Sequence, residues 1–529
     1  KPGKPPEEAK SYRPISLLTL TNKIISMVIY DKLKMPSDKV VSEEQGGFRP
    51  WRRPTDQILS VKLLKAIARN AKTPLYTVFV DIVGAFDRVA RALMLNTLES
   101  FGVPEHLRGL VRSLYENHAF RVEWEGLNSE LISSTSGVAQ GSSLSPLLFN
   151  LALEAVFRKI DWKNKIRTAT RDLGDHAQKS PSARNDKKDD KINEYSHFLF
   201  ADDVVLFADS LEKLQKNLDE LSKTLARFGL ELSPTKSKWM KNLTVPKPII
   251  DDNYKREEKE AIKNAKTKIG IRRKRNAFRK KHIAEAREKL IEEEGQEDLF
   301  LNGEKLERVE AFKYLGQLIS ESGSDVPEVI ARIRAAGIVT KRVGKIMWDR
   351  SLNLKTKRKC IMCFIYPVVT YACETWNLNA EIRRLLDNYW YRLLRRALGI
   401  RLKDRVRTTK VLRLMRMKPL SVLVEERCLR YAGHYFRYPV TRPLKQLLAA
   451  NVPGSAMTGP QDQYQKQLTT LLKARGLTTA DMLKKQVWKK KLDKIYRPGQ
   501  KKRRKKKGKG HETNDSTETE HQVDTDGSD

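Results

Sequence analysis

Residues 197–207, His197-Phe198-Leu199-Phe200-Ala201-Asp202-Asp203-Val204-Val205-Leu206-Phe207, place two adjacent carboxylates inside an otherwise apolar run. Burying acids is costly unless something cationic neutralises them, so this chain has to bring positive charge to the edge of its core. Each apolar arm is long enough for a strand, and a bend at the acids lets the arms pair as a hairpin. A second run, Leu75-Tyr76-Thr77-Val78-Phe79-Val80, reads as a buried strand that delivers Asp81 at its C-terminal end. Side chains alternate along a strand, so only one of Asp202 and Asp203 can meet Asp81 directly. Carboxylates from separate strands, with no His or Cys adjoining them, suit Mg²⁺ rather than Zn²⁺. The chemistry such a site serves is phosphoryl or nucleotidyl transfer. Alone, an Asp-Asp pair is more often a charged strand end, so its surroundings decide.

Composition narrows the field. The chain has 529 residues, too many for one core, and predicts three or four domains. Lys and Arg number 103 against 65 Asp and Glu, a net charge of +38. That excess excludes an ordinary metabolic enzyme and asks for a polyanionic partner, nucleic acid or an anionic membrane surface. A hydrophobic content of 40% still supports a sizeable core. Four cysteines are too few to staple such a chain and fit a reducing compartment. No apolar run approaches the roughly 20 residues of a membrane-spanning helix. The chain opens on Lys1 rather than Met, so an N-terminally truncated piece of a larger protein is expected.

Between the two acidic strands lies Gly137-Val138-Ala139-Gln140-Gly141-Ser142-Ser143-Leu144-Ser145-Pro146. Its small residues permit a close backbone approach to a ligand, and Ser145-Pro146 predicts a helix start, with the helix running to about residue 160. Residues 161–194 are charge-dense and predict a surface loop or disordered insertion. Residues 254–294, without proline and rich in Lys, Arg, Glu and Ala, predict a long exposed helix.

Seven motifs then occur in a fixed order: Tyr12-Arg13-Pro14-Ile15-Ser16; Gln45-Gly46-Gly47-Phe48-Arg49; Asp81 through Phe86-Asp87; Gln140-Gly141-Ser142; Phe200-Ala201-Asp202-Asp203; residues 232–236; and Phe312-Lys313-Tyr314-Leu315-Gly316. The ordered set resembles the reverse transcriptase of non-LTR (LINE-type) retrotransposons, from residue 1 to about 435. That resemblance implies an α+β, right-hand polymerase with an antiparallel palm sheet and a helical, basic C-terminal region. The divisions it implies are fingers over 1–73, a palm over 74–240, a charged helical insertion over 241–298 and a primer-grip hairpin over 299–322. A helical thumb over 323–400, a helical region over 401–498 and a basic-then-acidic tail over 499–529 complete it.

Carried over residue by residue, the resemblance makes Asp81 and Asp202 metal-binding carboxylates, with Asp203 completing the acidic set. Phe86 resembles the aromatic gate that excludes a ribose 2′-OH; Gln140 and Gly141 resemble the loop that positions template and dNTP. Lys236 resembles the lysine that protonates the leaving pyrophosphate. Arg49 and Lys23 match finger positions that neutralise a triphosphate, a task suited to arginine's fork of donors. Phe312, Tyr314 and Gly316 match the primer grip. The implied cofactor is Mg²⁺, two ions, with Mn²⁺ as a substitute. The implied partners are an RNA template, a DNA primer and dNTPs, with no membrane; the family allows an endonuclease domain upstream, and no endonuclease signature occurs in this chain. A nuclear location after cytoplasmic synthesis follows from the family and from the basic run 501–507.

Some features depart from the pattern. Trp51-Arg52-Arg53-Pro54 stands where the family usually has a small, Ser-rich turn. The helix predicted over 382–398 has Arg384, Arg392, Arg395 and Arg396 outside its apolar stripe, a face suited to an RNA–DNA hybrid or simply to solvent. Cys360 and Cys363, with Cys373 and Cys428, have the wrong spacing for a zinc knuckle and read as buried core residues. Competing functions are an inactive RNA-binding remnant, an intron-type reverse transcriptase and maturase, and a viral RNA-dependent RNA polymerase. Phe86 and the Phe-Ala-Asp-Asp sequence argue against the last.

Overall fold

The computed structural model describes residues 15–116, 118–170, 191–242, 297–451 and 463–497, with scattered positions in 5–12 and 252–285. Arg13, Pro14, most of the charged helix expected over 254–294, and the tail with its 501–507 basic run lie outside the described residues. No helix among the described residues is long and apolar enough to cross a membrane.

The chain enters through helices α1 (Leu20–Val40) and α2 (Pro54–Asn70) before strand β1 (Tyr76–Asp81). Helix α3 (Ser145–Phe157) follows, then β2 (His197–Phe200), β3 (Asp203–Ala208), helix α4 (Leu211–Arg227) and β4 (Lys238–Lys241). Short β5 (Glu307–Arg308) completes a five-stranded sheet in the order β5-β4-β1-β3-β2. In it β1 runs antiparallel to both β3 and β4, while β4 and β5 are parallel.

Both faces of this sheet are covered, which is why its strands read as continuous apolar runs rather than alternating ones. Val78, Val80, Val204, Leu206 and Trp239 face α3 and α4. Helix α4 fits that role because Leu214, Leu218, Leu221 and Leu225 recur at helical spacing and are fully buried, each burial contributing about 2 kcal/mol. Ser210 caps it, its side chain accepting from the Lys213 N–H. The opposite face, with Phe79, Phe198, Val205, Phe207 and Met240, packs on α2 and on the C-terminal helices around Leu429, Tyr435 and Trp488. Thus α2, grouped with the fingers by sequence, lies on the palm sheet.

Strands β6 (Ala311–Tyr314) and β7 (Gln317–Ser320) form a separate hairpin, followed by helices α5 (Val326–Arg342) and α6 (Ala380–Ala397) in a third core. On α6, Arg384, Arg392 and Arg396 are exposed on one face, eight and then four residues apart, while Arg395 is half-buried and bonds the Val406 carbonyl.

Two expectations need correcting. The insertion expected to be a loop over 161–194 has paired ends: Ile166–Thr170 and Lys191–Tyr195 form an antiparallel ladder, and Ala450–Asn451 adds a third strand. Arg167–Glu194 pairing and burial of Ala169 and Tyr195 favour this ladder despite the polar composition. The cysteines also divide. Cys373 and Cys428 are buried, but Cys363 is exposed and Cys360 half-buried, because the helix turn carrying them buries Ile361 and Ile365 instead.

Candidate active site

Strand β1 ends at Asp81 because the sheet stops there and the 231–237 loop takes over. Ser233 N–H donates to the Asp81 carbonyl (2.9 Å), and Val83 N–H donates to the Glu231 carbonyl (2.8 Å). That loop carries Lys236, whose Nζ lies 2.7 Å from Asp81 Oδ2.

Across the sheet, Asp81 pairs in register with Asp203, and Phe200 pairs with Asp203 on the other side. Residues opposite each other in an antiparallel pair put their side chains on one face. Asp203 is therefore the acid that meets Asp81, and Asp202 sits in the turn between β2 and β3. Ala201 takes φ +57° to make that turn. Asp203 is open to solvent at its surface, yet the walls around it strip hydration. That desolvation, then the charges of Asp202 and Asp81, push its pKa up to about 6. The cluster thus carries more negative charge than its surroundings compensate. Its all-oxygen donor set suits a hard divalent cation. Among the described residues no group of three His, Cys, Asp or Glu side chains already converges as a cage, and one Asp81 oxygen is engaged by Lys236.

What holds the acidic turn comes from residues 44–47. Gln45, 1% exposed, accepts from the Ala201 N–H (2.8 Å) and the Gly47 N–H (2.7 Å), and donates to the Ala201 carbonyl (3.3 Å). Gly46 N–H donates to the Leu199 carbonyl and Leu199 N–H to the Glu44 carbonyl. A Cβ on Gly47 would lie 2.2 Å from the Ala201 nitrogen, so only glycine fits. Asn150 of α3 donates to the Gly47 carbonyl at 2.7 Å. The sequence motif was visible, but the task of Gln45 and Gly47 was not.

Phe86 follows Gly84, which takes φ +54°. Its half-buried ring stacks on Phe149 (4.4 Å, 13°) and meets Phe48 edge-on at 5.9 Å. Gln140 donates to Asp87 Oδ1 (2.8 Å), and its carbonyl accepts from the Ser16 N–H (2.7 Å). Gly141, at φ +138°, is required here: a Cβ would lie 2.5 Å from the Ser16 carbonyl oxygen. The structure therefore brings Asp81, Asp202, Asp203, Lys236, Phe86, Gln140 and Gly141 to one end of the sheet.

The residues expected to form a primer grip approach from the second face. Phe312 stacks on Phe79 (4.4 Å, 15°), and Tyr314 is 5.6 Å from the same ring. Buried Tyr314 lies near enough to Asp203 that the carboxylate, after burial, raises its pKa. Among the described residues its hydroxyl has no hydrogen-bond partner. Gly316, at φ +79°, turns the hairpin, and Tyr371 fixes that turn by donating to the Leu315 carbonyl (2.8 Å).

Two expected residues stand elsewhere. Arg49 is 7% exposed, and its guanidinium is engaged by the end of α1 and by its own loop. It pairs with Asp38 (2.7 Å) and donates to the carbonyls of Asp38, Gln45 and Ser42. Burial among carbonyls gives its guanidinium a folding task. Lys23 is exposed on the first turn of α1, and among the described residues no hydrogen bond or ion pair joins it to the carboxylates.

Comparison with known proteins bears on this geometry. The family described as reverse transcriptase (RNA-dependent DNA polymerase) matches residues 1–319. The probable RNA-directed DNA polymerase from transposon X-element of Drosophila melanogaster is 35% identical over 154 residues, covering 28% of this chain and 17% of that protein. The Pol polyprotein from the type-1 retrotransposable element R2 of Nasonia vitripennis is 29% identical over 180 residues, covering 34% of this chain and 15% of that protein. The chain thus spans only a small part of the curated relatives it matches. A solved telomerase from Candida albicans, in complex with a fragment of telomeric RNA, aligns with TM-score 0.32 and 11% identity. That alignment covers 75% of this chain and 56% of the telomerase chain.

Proposed function

Since the chain belongs to the reverse transcriptase family, we propose that it extends a DNA 3′-OH on an RNA template with dNTPs, as the polymerase of a non-LTR retrotransposon. The observation that carries the reading is the pairing of Asp81 with Asp203 beside Asp202, on a turn clamped by Gln45. Members of the family use divalent metal ions; here Asp81, Asp202 and Asp203 would hold two Mg²⁺. When bound, such ions favour ionisation of the attacking hydroxyl and neutralise the triphosphate.

The chain's own residues supply the rest. Phe86, backed by Phe149, presents a ring edge where a ribose 2′-OH would fall. The Gln140–Gly141 loop, pinned to Asp87 and to the Ser16 backbone, offers a rigid floor for the template base and dNTP. Lys236 is placed to hold a proton beside the carboxylates and deliver it to the departing pyrophosphate. The β6–β7 hairpin, stacked on Phe79, fixes the primer terminus relative to Asp81. Nuclear action is proposed with this role, from the basic run 501–507.

The test is primer extension on an RNA template with dNTPs and Mg²⁺, comparing the native chain with Asp202→Asn. Extension by the native protein, lost in the variant and refused with rNTPs, is the expected result. A folded protein that binds RNA and extends nothing would leave an RNA-binding remnant in its place.

A further inference from the structure

Residues 48–53 form a turn that holds two bulky side chains in the left-handed region, Phe48 at φ +54° and Trp51 at φ +59°. Bulky residues enter that region only where the surroundings over-determine the backbone. Here they do. Arg442 donates to the Trp51 carbonyl (3.0 Å), Arg52 pairs with Glu43 (2.8 Å), and the Asp56 carboxylate accepts from the Arg53 N–H (3.2 Å). The backbone is therefore pinned from three sides while the indole is left 81% exposed.

The turn carries Arg53, and Arg437 adjoins it through Tyr438, whose hydroxyl bonds the same Asp56 carboxylate that accepts from the Arg53 N–H; Arg437 itself donates to the Met482 carbonyl, three residues before Lys485. Arg53 and Lys485 are exposed, and Arg437 is half-buried. Their closeness registers on His434, whose pKa is lowered by burial first, then by Arg53, Arg437 and Lys485. The nearby acids are engaged: Glu43 with Arg52, and buried Asp56 with the hydroxyls of Tyr431 and Tyr438. A bare aromatic surface beside uncompensated positive charge matches a single-stranded nucleic acid, whose bases stack and whose phosphates need cations. The turn also adjoins the candidate active site. Phe48 meets Phe86 at 5.9 Å, and Trp51 is four residues beyond Gly47, which packs on Ala201. At ~3.8 Å per residue, its Cα lies within about 15 Å of that contact.

We propose that Trp51 is a stacking platform for an unpaired base of the RNA template ahead of the active site, with Arg53, Arg437 and Lys485 holding the adjoining phosphates. The site is composite, because its aromatic comes from the loop before α2 and two of its cations come from the C-terminal helices. The identity of the strand rests on the reverse transcriptase reading; the platform itself rests on the exposed indole and its cations.

The experiment measures binding of labelled DNA-primer–RNA-template duplexes, either blunt or with a single-stranded 5′ RNA overhang, to the full chain. Trp51→Gly suits the backbone angle and removes the ring; Trp51→Phe keeps a ring. The native protein is expected to bind the overhang duplex more tightly than the blunt one. Trp51→Gly should lose about tenfold of affinity for the overhang duplex, with blunt affinity and melting temperature maintained, and Trp51→Phe should retain most of it. Equal overhang preference in the native protein and Trp51→Gly overturns the proposal. So does a change of oligomeric state in Trp51→Gly with the overhang preference intact, which would assign the indole to a second copy of the chain. Primer extension by the native protein is read separately. Its absence, with overhang binding intact, counts against the polymerase reading alone; its presence, with no effect of Trp51→Gly on overhang binding, counts against this proposal alone.

Discussion

Lys236 and Asp81, 155 residues apart in the chain, form an ion pair with Nζ 2.7 Å from Oδ2. The lysine side chain is 64% exposed and the aspartate 34%, so solvent screens the pair and its stability contribution is about 0–1 kcal/mol. Its interest is chemical. Lys236→Ala should slow single-nucleotide incorporation by roughly 100-fold, the low end for a lost general acid, while primer–template affinity and melting temperature hold. Rapid-quench kinetics on one incorporation cycle would read this, and an unchanged rate would return Lys236 to the role of a surface counter-ion.

The clamp on the acidic turn makes a structural prediction. Gln45→Ala leaves the buried N–H groups of Gly47 and Ala201 without their acceptor, which should cost about 3 kcal/mol. Gly47→Ala should be worse, because its new methyl meets backbone atoms of Ala201 that cannot swing aside. Urea unfolding gives the first number. Extension assays on folded Gly47→Ala protein should find almost no activity, and native-like activity would refute the clamp.

Phe86 is a packed wall of the candidate site and, in the proposed mechanism, its gate. Removing its ring in Phe86→Ala ends the stack on Phe149, with an expected loss of about 2 kcal/mol for a half-buried aromatic. The same variant should incorporate rNTPs that the native protein rejects. Competition between dATP and ATP at one template position measures the effect; discrimination that survives the change would show that something else excludes the 2′-OH.

His197 predicts an acid-sensitive fold. It lies against Trp162 and Phe157, with Nδ1 2.8 Å from Ser196 Oγ. Burial, then the charge of Lys165, push its pKa down to about 3. Between about 6.5 and about 3 the unfolded chain binds a proton that the folded chain does not. Stability should therefore fall as pH drops through that window, by roughly 1 kcal/mol per pH unit from this group. His197→Phe should flatten that part of a stability–pH curve measured by denaturant melts. A curve of undiminished slope would place the acid sensitivity elsewhere.

How much of this was legible in advance depends on the range of the interaction. Asp81 and the Asp202–Asp203 turn could be read directly, since a run of β-branched and aromatic residues that ends in an acid has few other foldings. The helix after Pro146 could be read for the same local reason. Arg49 could not be placed, because its partners Asp38, Ser42 and Gln45 converge only when the loop closes. Cys363 looked as apolar as its neighbours, and only the rotation of its helix turn decided which side faced water. The Ile166–Thr170 ladder lay in a segment whose charge argued for a loop, and its third strand comes from residue 450 onward.

The sequence by itself determined the two acid-bearing strands, the order of the motifs, the charge that calls for a polyanion and the acids that call for metal. Those properties depend on hydropathy and residue type within a few positions of one another. The tertiary structure alone decided that Asp203 rather than Asp202 faces Asp81, that Gln45 holds their turn from 156 residues away, and that Trp51 stands bare among arginines from both ends of the chain. These depend on register and on which backbone groups need partners once buried, and neither is fixed until distant segments meet.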